Sequence, residues 1–198
     1  MKHYRETKHE SISSAITALR ADLYRYAGSS DYGSMLRIWL HDRGFRYLAW
    51  FRFAQRARRS SPCWPVWALL LERAATKYGI TIPISTEIAP GFYIGYFGGI
   101  VISNEAKIGP NCNIHKGVSI GKIQAGNRVG TPCLEAGVWV GQNAIVMGGI
   151  TIGNGAVIAP GAFVNFDVPP GALVIGNPGR IRTSPAPLGY IQFPIPQT

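Results

Sequence analysis

A branched aliphatic residue returns every six positions between Ile82 and Val164, and this period constrains the fold more than any other feature of the chain. The positions are Ile82, Ile88, Ile94, Ile102, Ile108, Ile114, Ile120, Leu134, Val140, Val146, Ile152, Ile158 and Val164. A period of six matches neither the 3.6 residues of a helical turn nor the two-residue alternation of a strand. Hexapeptide repeats are typical of a parallel β-helix, in which residues about eighteen apart stack at the ~4.8 Å strand spacing. We expect the aliphatic side chains to fill the prism and small residues to turn its corners.

Two insertions interrupt the repeat, and each adds residues at one turn between strands. The step from Ile94 to Ile102 takes eight residues, and the step from Ile120 to Leu134 takes fourteen. A solenoid accepts an insertion where the chain loops away from a corner, and such loops often carry binding residues. We therefore expect the two insertions to mark the functional face of the β-helix.

The chain before and after the repeat follows other patterns. Apolar residues at helical spacing predict helices over residues 11–27, 35–41 and 45–58 and from Pro65 to Gly79. The predicted divisions are an α-helical N-terminal region at 1–78, a β-helix domain at 79–182 and a proline-rich tail at 183–198. The tail has no periodicity, so we expect it to be extended or partly disordered.

The cysteines and the apolar runs bear on location. Cys63, Cys112 and Cys133 have neither the spacing of a metal site nor the even number of a disulfide framework, which predicts no metal and a reducing compartment. Residues 1–6 lack the apolar core of a signal peptide, and no apolar run approaches ~18 residues. We expect a cytoplasmic protein, with attachment to the inner face of the membrane as an alternative.

The positive charge is concentrated before the repeat. The chain has a net charge of +10; residues 1–80 carry +8 of it and residues 81–198 carry +2. Arginines alternate with aromatic residues over 43–59, a pattern that suits a solvated helix face or peripheral contact with anionic lipid. The solvated face is the simpler interpretation, and no nucleic-acid partner is expected.

Four motifs accompany the repeat. They are Tyr-Gly-Ile-Thr-Ile-Pro at 78–83, the long hexad at 94–101, Asn-Ile-His-Lys-Gly-Val-Ser-Ile-Gly at 113–121, and Asp-Val-Pro-Pro-Gly-Ala with a later Gly-Asn-Pro at 167–178. With these motifs, residues 78–181 resemble the serine acetyltransferase branch of the hexapeptide acyltransferases, which includes capsule and exopolysaccharide O-acetyltransferases. The helices before Tyr78 resemble the short leader of the polysaccharide-linked members.

The resemblance implies an assembly and a reaction. It implies a left-handed coil, a homotrimer, and acetyl-CoA as co-substrate in the cleft between two neighbouring prisms. Trimerisation is also physically reasonable, because it would bury flat prism faces and create three shared clefts. In the family a histidine takes the proton of an acceptor hydroxyl, whose oxygen attacks the thioester, and backbone N–H groups stabilise the oxyanion.

The chain departs from the family at the catalytic base. The family histidine is the third residue of the long hexad, where this chain has Tyr96, and a phenol with its ordinary pKa near ~10 is a poor base at neutral pH. Counting one coil on from Ile94 reaches Ile114, so His115 should stack on Gly95 and Lys116 on Tyr96. His115 is therefore the candidate replacement base, with Tyr96 as a wall of the catalytic pocket. The alternatives are a polar turn residue or a site that binds without turnover.

Further site residues are carried over from the family by position. Gly95, Phe97, Lys116 and Arg128 are the predicted substrate-binding residues. Gly95 replaces an acid that would hold the amino group of serine, and Arg128 lacks the histidine that follows it in enzymes that bind the serine carboxylate. Both departures argue against free serine. The residues predicted to bind acetyl-CoA are Gly141, Gly148, Gly149, Ala159, Gly161 and Arg180.

These observations predict an acetyl-CoA-dependent O-acetyltransferase that acts on a hydroxyl, most specifically of a sugar in exopolysaccharide or capsule biosynthesis. Two alternatives stay open. One is a serine O-acetyltransferase of cysteine biosynthesis. The other is a catalytically silent β-helix that acts as a binding or scaffold subunit, which the tyrosine at position 96 would explain.

Overall fold

Four helices precede the β-helix in the computed structural model, which describes residues 12–57, 64–186 and 189–196. They are α1 (Ile12–Ala27), α2 (Tyr32–His41), α3 (Arg43–Ala57) and α4 (Trp64–Tyr78). Gly28 and Gly79 take left-handed φ values of 68° and 61° and end α1 and α4, as the sequence predicts. α2 begins three residues earlier than predicted, because the Asp31 carboxylate caps it by accepting the Ser34 N–H at 2.9 Å. Ser11, Arg58 and Cys63 lie outside the described residues.

Short strands follow in three sheets, which are parallel except for the pairing of the last two strands. They are β1 (Ile80–Thr81), β2 (Glu87–Ile88), β3 (Tyr93–Gly95), β4 (Ile100–Ile102), β5 (Lys107–Ile108), β6 (Asn113–His115), β7 (Ser119–Gly121), β8 (Cys133–Leu134), β9 (Trp139–Val140), β10 (Ile145–Met147), β11 (Thr151–Ile152), β12 (Val157–Ile158), β13 (Phe163–Val164), β14 (Ala172–Ile175) and β15 (Arg180–Pro185). Sheet A contains β1, β4, β7, β10 and β13; sheet B contains β2, β5, β8 and β11; sheet C contains β3, β6, β9, β12, β14 and β15. The chain therefore passes from A to B to C in every coil.

The repeat fills the prism. All thirteen aliphatic positions of the six-residue period are buried, and small residues such as Ala106, Ala144 and Ala162 fill the corners between them. Burying one such aliphatic side chain contributes roughly 1.5–3 kcal/mol, so the period is also the main source of stability for the coil. Among the described residues, no helix has the length and apolarity needed to cross a membrane.

The two insertions lie at different corners of the prism. The eight-residue step joins β3 to β4 and turns from sheet C to sheet A, which we call the C–A corner. The fourteen-residue step joins β7 to β8 and turns from sheet A to sheet B, the A–B corner. The prediction that both insertions mark one face is therefore wrong within one chain. The period shows which residues stack, but the two insertions fall at different positions along a coil and so leave it at different corners.

A buried ion pair joins the helices to the first coil. The Arg52 guanidinium on α3 contacts the Asp22 carboxylate on α1 at 2.8 Å, and both side chains are buried. Oδ1 of Asp22 also accepts the N–H groups of Gly91 and Phe92, each at 2.9 Å. A buried pair with these added hydrogen bonds fixes orientation, and here it sets the helices against the corner before β3.

The described part of the end of the chain, on both sides of the predicted start of the tail at 183, contacts the coil. β15 crosses that boundary and pairs antiparallel with β14. Residues 189–196 then return to sheet C, where Asn111 exchanges two hydrogen bonds with the Ile195 backbone, both 2.9 Å long. Buried polar side chains on the coil thus satisfy the backbone of the tail, a contact that the repeat pattern cannot reveal.

Candidate functional site

A cleft of about 800 Å³ opens at the C–A corner, where the coil meets the helices and the returning tail. Its walls are formed by Arg25, His41, Asp42, Arg43, Gly44, Tyr93, Tyr96, Phe97, Asn113, His115, Lys116, Trp139, Tyr190 and Gln192. Four residues that the sequence predicts, Tyr96, Phe97, His115 and Lys116, are therefore together in this cleft. The volume is in the range of sites for small organic ligands.

His115 lies where coil counting placed it. β3 and β6 pair with Gly95 opposite His115, and the same column continues through Gly141 and Ala159 on the next two coils. A Cβ at Gly95 would overlap the His115 ring at Nδ1 and Cε1, so glycine is what lets the ring lie over this strand end. Tyr96 follows with a left-handed φ of 56°, an uncommon conformation for a non-glycine residue that makes the turn tight.

The electrostatic environment keeps the His115 ring neutral. Burial lowers the pKa of His115 from its ordinary value, and a hydrogen bond from the ring to the Gly95 backbone opposes this only in part. Nε2 is buried and has no hydrogen-bond partner among the described residues. The donor to Gly95 is then Nδ1, and the lone pair of the neutral ring lies on Nε2. A neutral imidazole with one unpaired nitrogen in a cleft wall is suited to accept a proton.

Aromatic rings surround His115. The Trp139 ring centroid is 4.7 Å from that of His115, and the centroids of Tyr96 and Tyr93 are 6.2 and 6.3 Å away. The Tyr190 ring from the tail in turn packs on Trp139 at 4.6 Å. The Tyr96 side chain is 71% exposed and forms the mouth of the cleft, Trp139 is half-buried, and Tyr190 is exposed at 41%.

The charged side chains that line the cleft differ in whether they already donate hydrogen bonds to other groups or are exposed to solvent. Arg25 is buried and donates hydrogen bonds to Gly91 O at 2.7 Å, Asn113 Oδ1 at 2.7 Å and Gln192 O at 2.9 Å, so it ties α1, two coils and the tail together. Arg43 lies over the Phe97 ring at 4.6 Å, with its side chain exposed. Lys116 is also exposed. Arg43 and Lys116 are therefore the cations best placed to meet an anionic ligand group.

One carboxylate also lines the cleft. Asp42 directly precedes α3 and accepts the Phe45 N–H at 2.8 Å. Burial raises the pKa of Asp42, and its hydrogen bonds with backbone N–H groups oppose this in part. The cleft thus combines exposed cations, one partly buried carboxylate and a neutral imidazole.

Some cleft residues were missed by the sequence analysis. Tyr93, Asn113 and Trp139 occupy one stacked column, the position before the inward aliphatic residue, and counting coils could have found them. Arg25, Asp42, Arg43, Tyr190 and Gln192 come from the helices and the tail, for which the repeat carries no signal. These residues make up more than a third of the lining.

The structure separates Arg128 from the cleft. Its guanidinium contacts the Asp167 carboxylate at 2.6 Å at the A–B corner, outside the cleft lining. The predicted substrate-binding role of Arg128 is therefore not supported within one chain, because the insertion loops off a corner different from that of His115.

The residues predicted to bind acetyl-CoA also fall at two corners. Gly141, Ala159 and Gly161 continue the C–A corner from His115. Gly148 and Gly149 lie under the insertion, where a Cβ would come within 2.8 Å of Arg128 O and 2.6 Å of Val129 O. Arg180 begins β15 at the edge of sheet C. Across residues 12–57, 64–186 and 189–196, no group of three or more His, Cys, Asp or Glu residues could hold a metal ion.

Comparison with known proteins gives consistent relatives. The family model described as bacterial transferase hexapeptide (six repeats) matches residues 134–165. The serine acetyltransferase of Bacillus licheniformis is 35% identical over 103 residues, 52% of this chain and 48% of its own length. That of Mycobacterium tuberculosis is 31% identical over 140 residues, 67% of this chain and 61% of its own length. The chain thus spans about half the length of the curated relatives it matches.

Solved structures agree with the fold. Soybean serine acetyltransferase in complex with serine superposes with a TM-score of 0.73 and 31% identity, over 86% of this chain and 70% of that chain. The Neisseria gonorrhoeae serine acetyltransferase in complex with serine gives a TM-score of 0.72 and 26% identity, over 86% and 70% of the two chains. The predicted fold, a left-handed parallel β-helix preceded by helices, is confirmed.

Proposed function

Because the chain belongs to the serine acetyltransferase family of hexapeptide-repeat acyltransferases, we propose that it transfers an acetyl group from acetyl-CoA to an acceptor hydroxyl, with His115 as the general base. The observation that carries this proposal is the neutral imidazole in the cleft wall, whose Nε2 is buried and unpaired among the described residues. It stands one coil from Tyr96, the position of the family base.

The proposed reaction is a direct acyl transfer. Nε2 of His115 accepts the hydroxyl proton while the acceptor oxygen attacks the thioester carbonyl, and the C–S bond then breaks as the CoA sulfur leaves and takes up the proton. Backbone N–H groups at the corner would stabilise the oxyanion. Nε2 is enclosed in this conformation, so the acceptor reaches it only when a neighbouring ring moves. Tyr96 is the ring most open to solvent and the one expected to move.

Acetyl-CoA is proposed to lie along the C–A corner, beside the small residues Gly141, Ala159 and Gly161. A column without bulky side chains lets an extended pantetheine arm approach the backbone. In a homotrimer, the A–B corner of a second copy, with Gly148 and Arg128, would face this column and complete the site. The trimer and this shared site are proposals that follow from the prism geometry and from the family.

Free serine is the first acceptor to test, because the relatives named above are serine acetyltransferases. The cleft offers the groups that an amino acid requires. Asp42 could hold the ammonium group, and Arg43 or Lys116 could hold the carboxylate. Serine therefore fits the charges of the cleft, although Gly95 supplies no carboxylate of its own.

A sugar hydroxyl is the second candidate, and the cleft alone favours it. Five aromatic side chains, Tyr93, Tyr96, Phe97, Trp139 and Tyr190, line a volume of about 800 Å³, which far exceeds a serine molecule. Flat apolar rings with a polar edge suit the alternating apolar and hydroxyl surfaces of a pyranose. A role in polysaccharide biosynthesis remains a prediction from sequence.

Release of free CoA from acetyl-CoA, followed with a thiol reagent, tests the proposal. The purified protein would be assayed with free serine and with a panel of monosaccharides, and products would be identified by mass. O-acetylserine would support serine as acceptor, and an acetylated sugar would support the second candidate. His115→Ala serves as the control, because it should remove the turnover without closing the cleft. No release above buffer with any acceptor, or equal release by His115→Ala, would contradict the proposal and favour a silent binding subunit.

A further inference from the structure

The outer surface of α2 carries an unpartnered apolar stripe. Tyr32, Leu36 and Leu40 are 79%, 61% and 58% exposed, and their spacing of four residues places them along one face of the helix. The opposite side of α2 is apolar as well, since Met35, Ile38 and Trp39 pack against the cluster formed by α1 and α3. α2 is therefore apolar on two sides, and the fold buries only one of them.

Positive charge flanks the stripe. The Arg20 guanidinium on α1 lies 5.8 Å from the centre of the Tyr32 ring, and Arg37 follows Leu36 on α2 with its side chain exposed. Ile16, one helical turn before Arg20, is also exposed on α1. We call these six residues, Ile16, Arg20, Tyr32, Leu36, Arg37 and Leu40, the α2 patch.

Carboxylates are absent from the exposed parts of the two helices that form the patch. α2 contains no acidic residue, and the only one in α1, Asp22, is buried in its ion pair with Arg52. The nearest acid in sequence, Asp31, is engaged as the N-cap of α2. The two helices of the patch therefore present apolar side chains flanked by two exposed arginines, and the nearest acid in sequence is held by its N-cap hydrogen bonds.

We propose that the α2 patch is a docking surface for an anionic lipid bilayer. An apolar helix face flanked by arginines is the arrangement that lies in a membrane interface, with aliphatic and aromatic side chains below the headgroups and guanidinium groups on anionic lipid. No described helix could span a bilayer, so the contact is peripheral. The proposal is independent of the acceptor of the acetyl group.

A second copy of the chain fits the same patch less well. A twofold contact brings identical surfaces together, so Arg20 and Arg37 of one copy would meet those of the other, while Asp31 is held in its N-cap contacts with Ser29 and Ser34. Anionic headgroups neutralise these charges, whereas self-association would leave them repelling each other. Charge complementarity therefore selects lipid as the occupant.

Sedimentation with vesicles tests this proposal with the full chain. We expect binding to vesicles made of equal parts phosphatidylcholine and phosphatidylglycerol, weak binding to phosphatidylcholine alone, and loss of binding as salt is raised. Leu36→Ser combined with Leu40→Ser should weaken binding by at least about tenfold, because both side chains leave the apolar phase. The matched control is Val66→Ser combined with Leu69→Ser on α4, two aliphatic residues of similar exposure, which should bind within about twofold of the parent.

A second pair of substitutions tests the charge. Arg20→Gln combined with Arg37→Gln keeps the apolar stripe and should lose the preference for anionic vesicles, with an unchanged far-UV circular dichroism spectrum. Equal binding to neutral and anionic vesicles, or equal loss in the α4 control, would overturn the proposal. A second result would also overturn it: the parent protein stays in the supernatant, and the double variant Leu36→Ser with Leu40→Ser has a lower mass than the parent in light scattering. The patch would then be a contact between copies.

Discussion

The C–A and A–B corners each carry one insertion of the same repeat, and the cleft around His115 lies at the C–A corner. At the C–A corner, the junction of α2 and α3, the tail and three coils surround His115. At the A–B corner, the longer insertion is largely exposed, and Arg128 pairs with Asp167 across the surface. Within one chain, the length of an insertion therefore does not decide where a site forms. A cleft forms where other elements cover the corner.

The helices and the tail supply that cover through a few buried contacts. Asp22 on α1 holds the corner before β3 through the Gly91 and Phe92 N–H groups. Arg25 then joins Asn113 on the coil to Gln192 in the tail. These contacts hold α1 and the tail against the coil residues that surround His115, and the Tyr190 ring of the tail packs on Trp139.

The largest expected effect concerns the base at the C–A corner. His115→Ala should lower the rate of acetyl transfer by about 10²–10⁴-fold, the usual contribution of a general base. Tyr96→Phe keeps the ring at the mouth of the cleft and should stay within a few-fold of the parent. Both rates would be measured as CoA release at saturating acetyl-CoA.

The two substitutions discriminate between the candidate bases. If Tyr96→Phe stops turnover and His115→Ala does not, the tyrosine has kept the role of the family base, and the assignment of His115 is wrong. Thermal unfolding of both variants would show whether a lost rate reflects a lost fold.

The next effect compares the two corners directly through matched glycines. Gly95 and Gly121 each follow an inward aliphatic residue, and a side chain of the next coil lies over each, His115 in one case and Met147 in the other. Gly95→Ala forces the His115 ring aside. It should lower the free energy of unfolding by about 1–3 kcal/mol and the rate of acetyl transfer by at least about tenfold. Gly121→Ala meets the Met147 Sδ and Cε atoms, which rotate away easily, so its cost should stay below about 1 kcal/mol.

Denaturant unfolding and CoA release of the two alanine variants would be measured side by side. Equal losses of stability and rate would show that the corners are equivalent. The claim that the His115 ring is specially held by Gly95 would then fail.

A moderate effect is expected from pH. Burial lowers the pKa of His115 below its ordinary value, so the ring stays neutral to lower pH than a free histidine. The rate should fall on the acid side through an apparent pKa below ~6.5, by about tenfold per pH unit beneath it, because protonation removes the base. The unfolded chain binds this proton at higher pH than the folded one. The contribution of His115 to the free energy of unfolding should therefore be complete above pH ~6.5 and decline as the pH falls below that value.

The pH profile of CoA release, compared with that of His115→Gln, checks this expectation. An acid limb that stays in place in the glutamine variant would assign the titration to another group. An acid limb above the ordinary histidine value would contradict the buried environment.

The sequence predicts the coil well because one physical rule governs it. Every aliphatic residue of the period is buried, and counting eighteen to twenty residues was enough to place His115 on Gly95. Counting the next coil with its fourteen-residue step could have placed Trp139 above Asn113. These are local consequences of stacking, and stacking is fixed by the repeat.

The covering elements follow no such rule. Arg25 reaches Asn113 over 88 positions and Tyr190 stacks on Trp139 from the tail, contacts that depend on tertiary packing alone. The corner on which each insertion lies follows from its position along the coil, so two insertions in one repeat need not share a face. The acceptor is less predictable still, since it depends on the shape and charge of walls drawn from three regions.

The smallest effect is expected at the A–B corner, from the ion pair between Arg128 and Asp167. Both side chains are largely exposed, at 43% and 57%, so their double-mutant coupling energy should be only about 0.2–1 kcal/mol. Asp22→Asn, which breaks the buried pair with Arg52, should cost roughly 3–5 kcal/mol and gives the contrast in the same unfolding assay. Arg128→Gln should therefore leave stability nearly unchanged, which makes its effect on rate informative. If Arg128→Gln keeps a rate near that of the parent, the C–A corner of one chain is sufficient for the reaction. A large rise in KM with intact stability would mean that the A–B corner of another copy completes the cleft, and the contrast between the two corners would then hold only within a single prism.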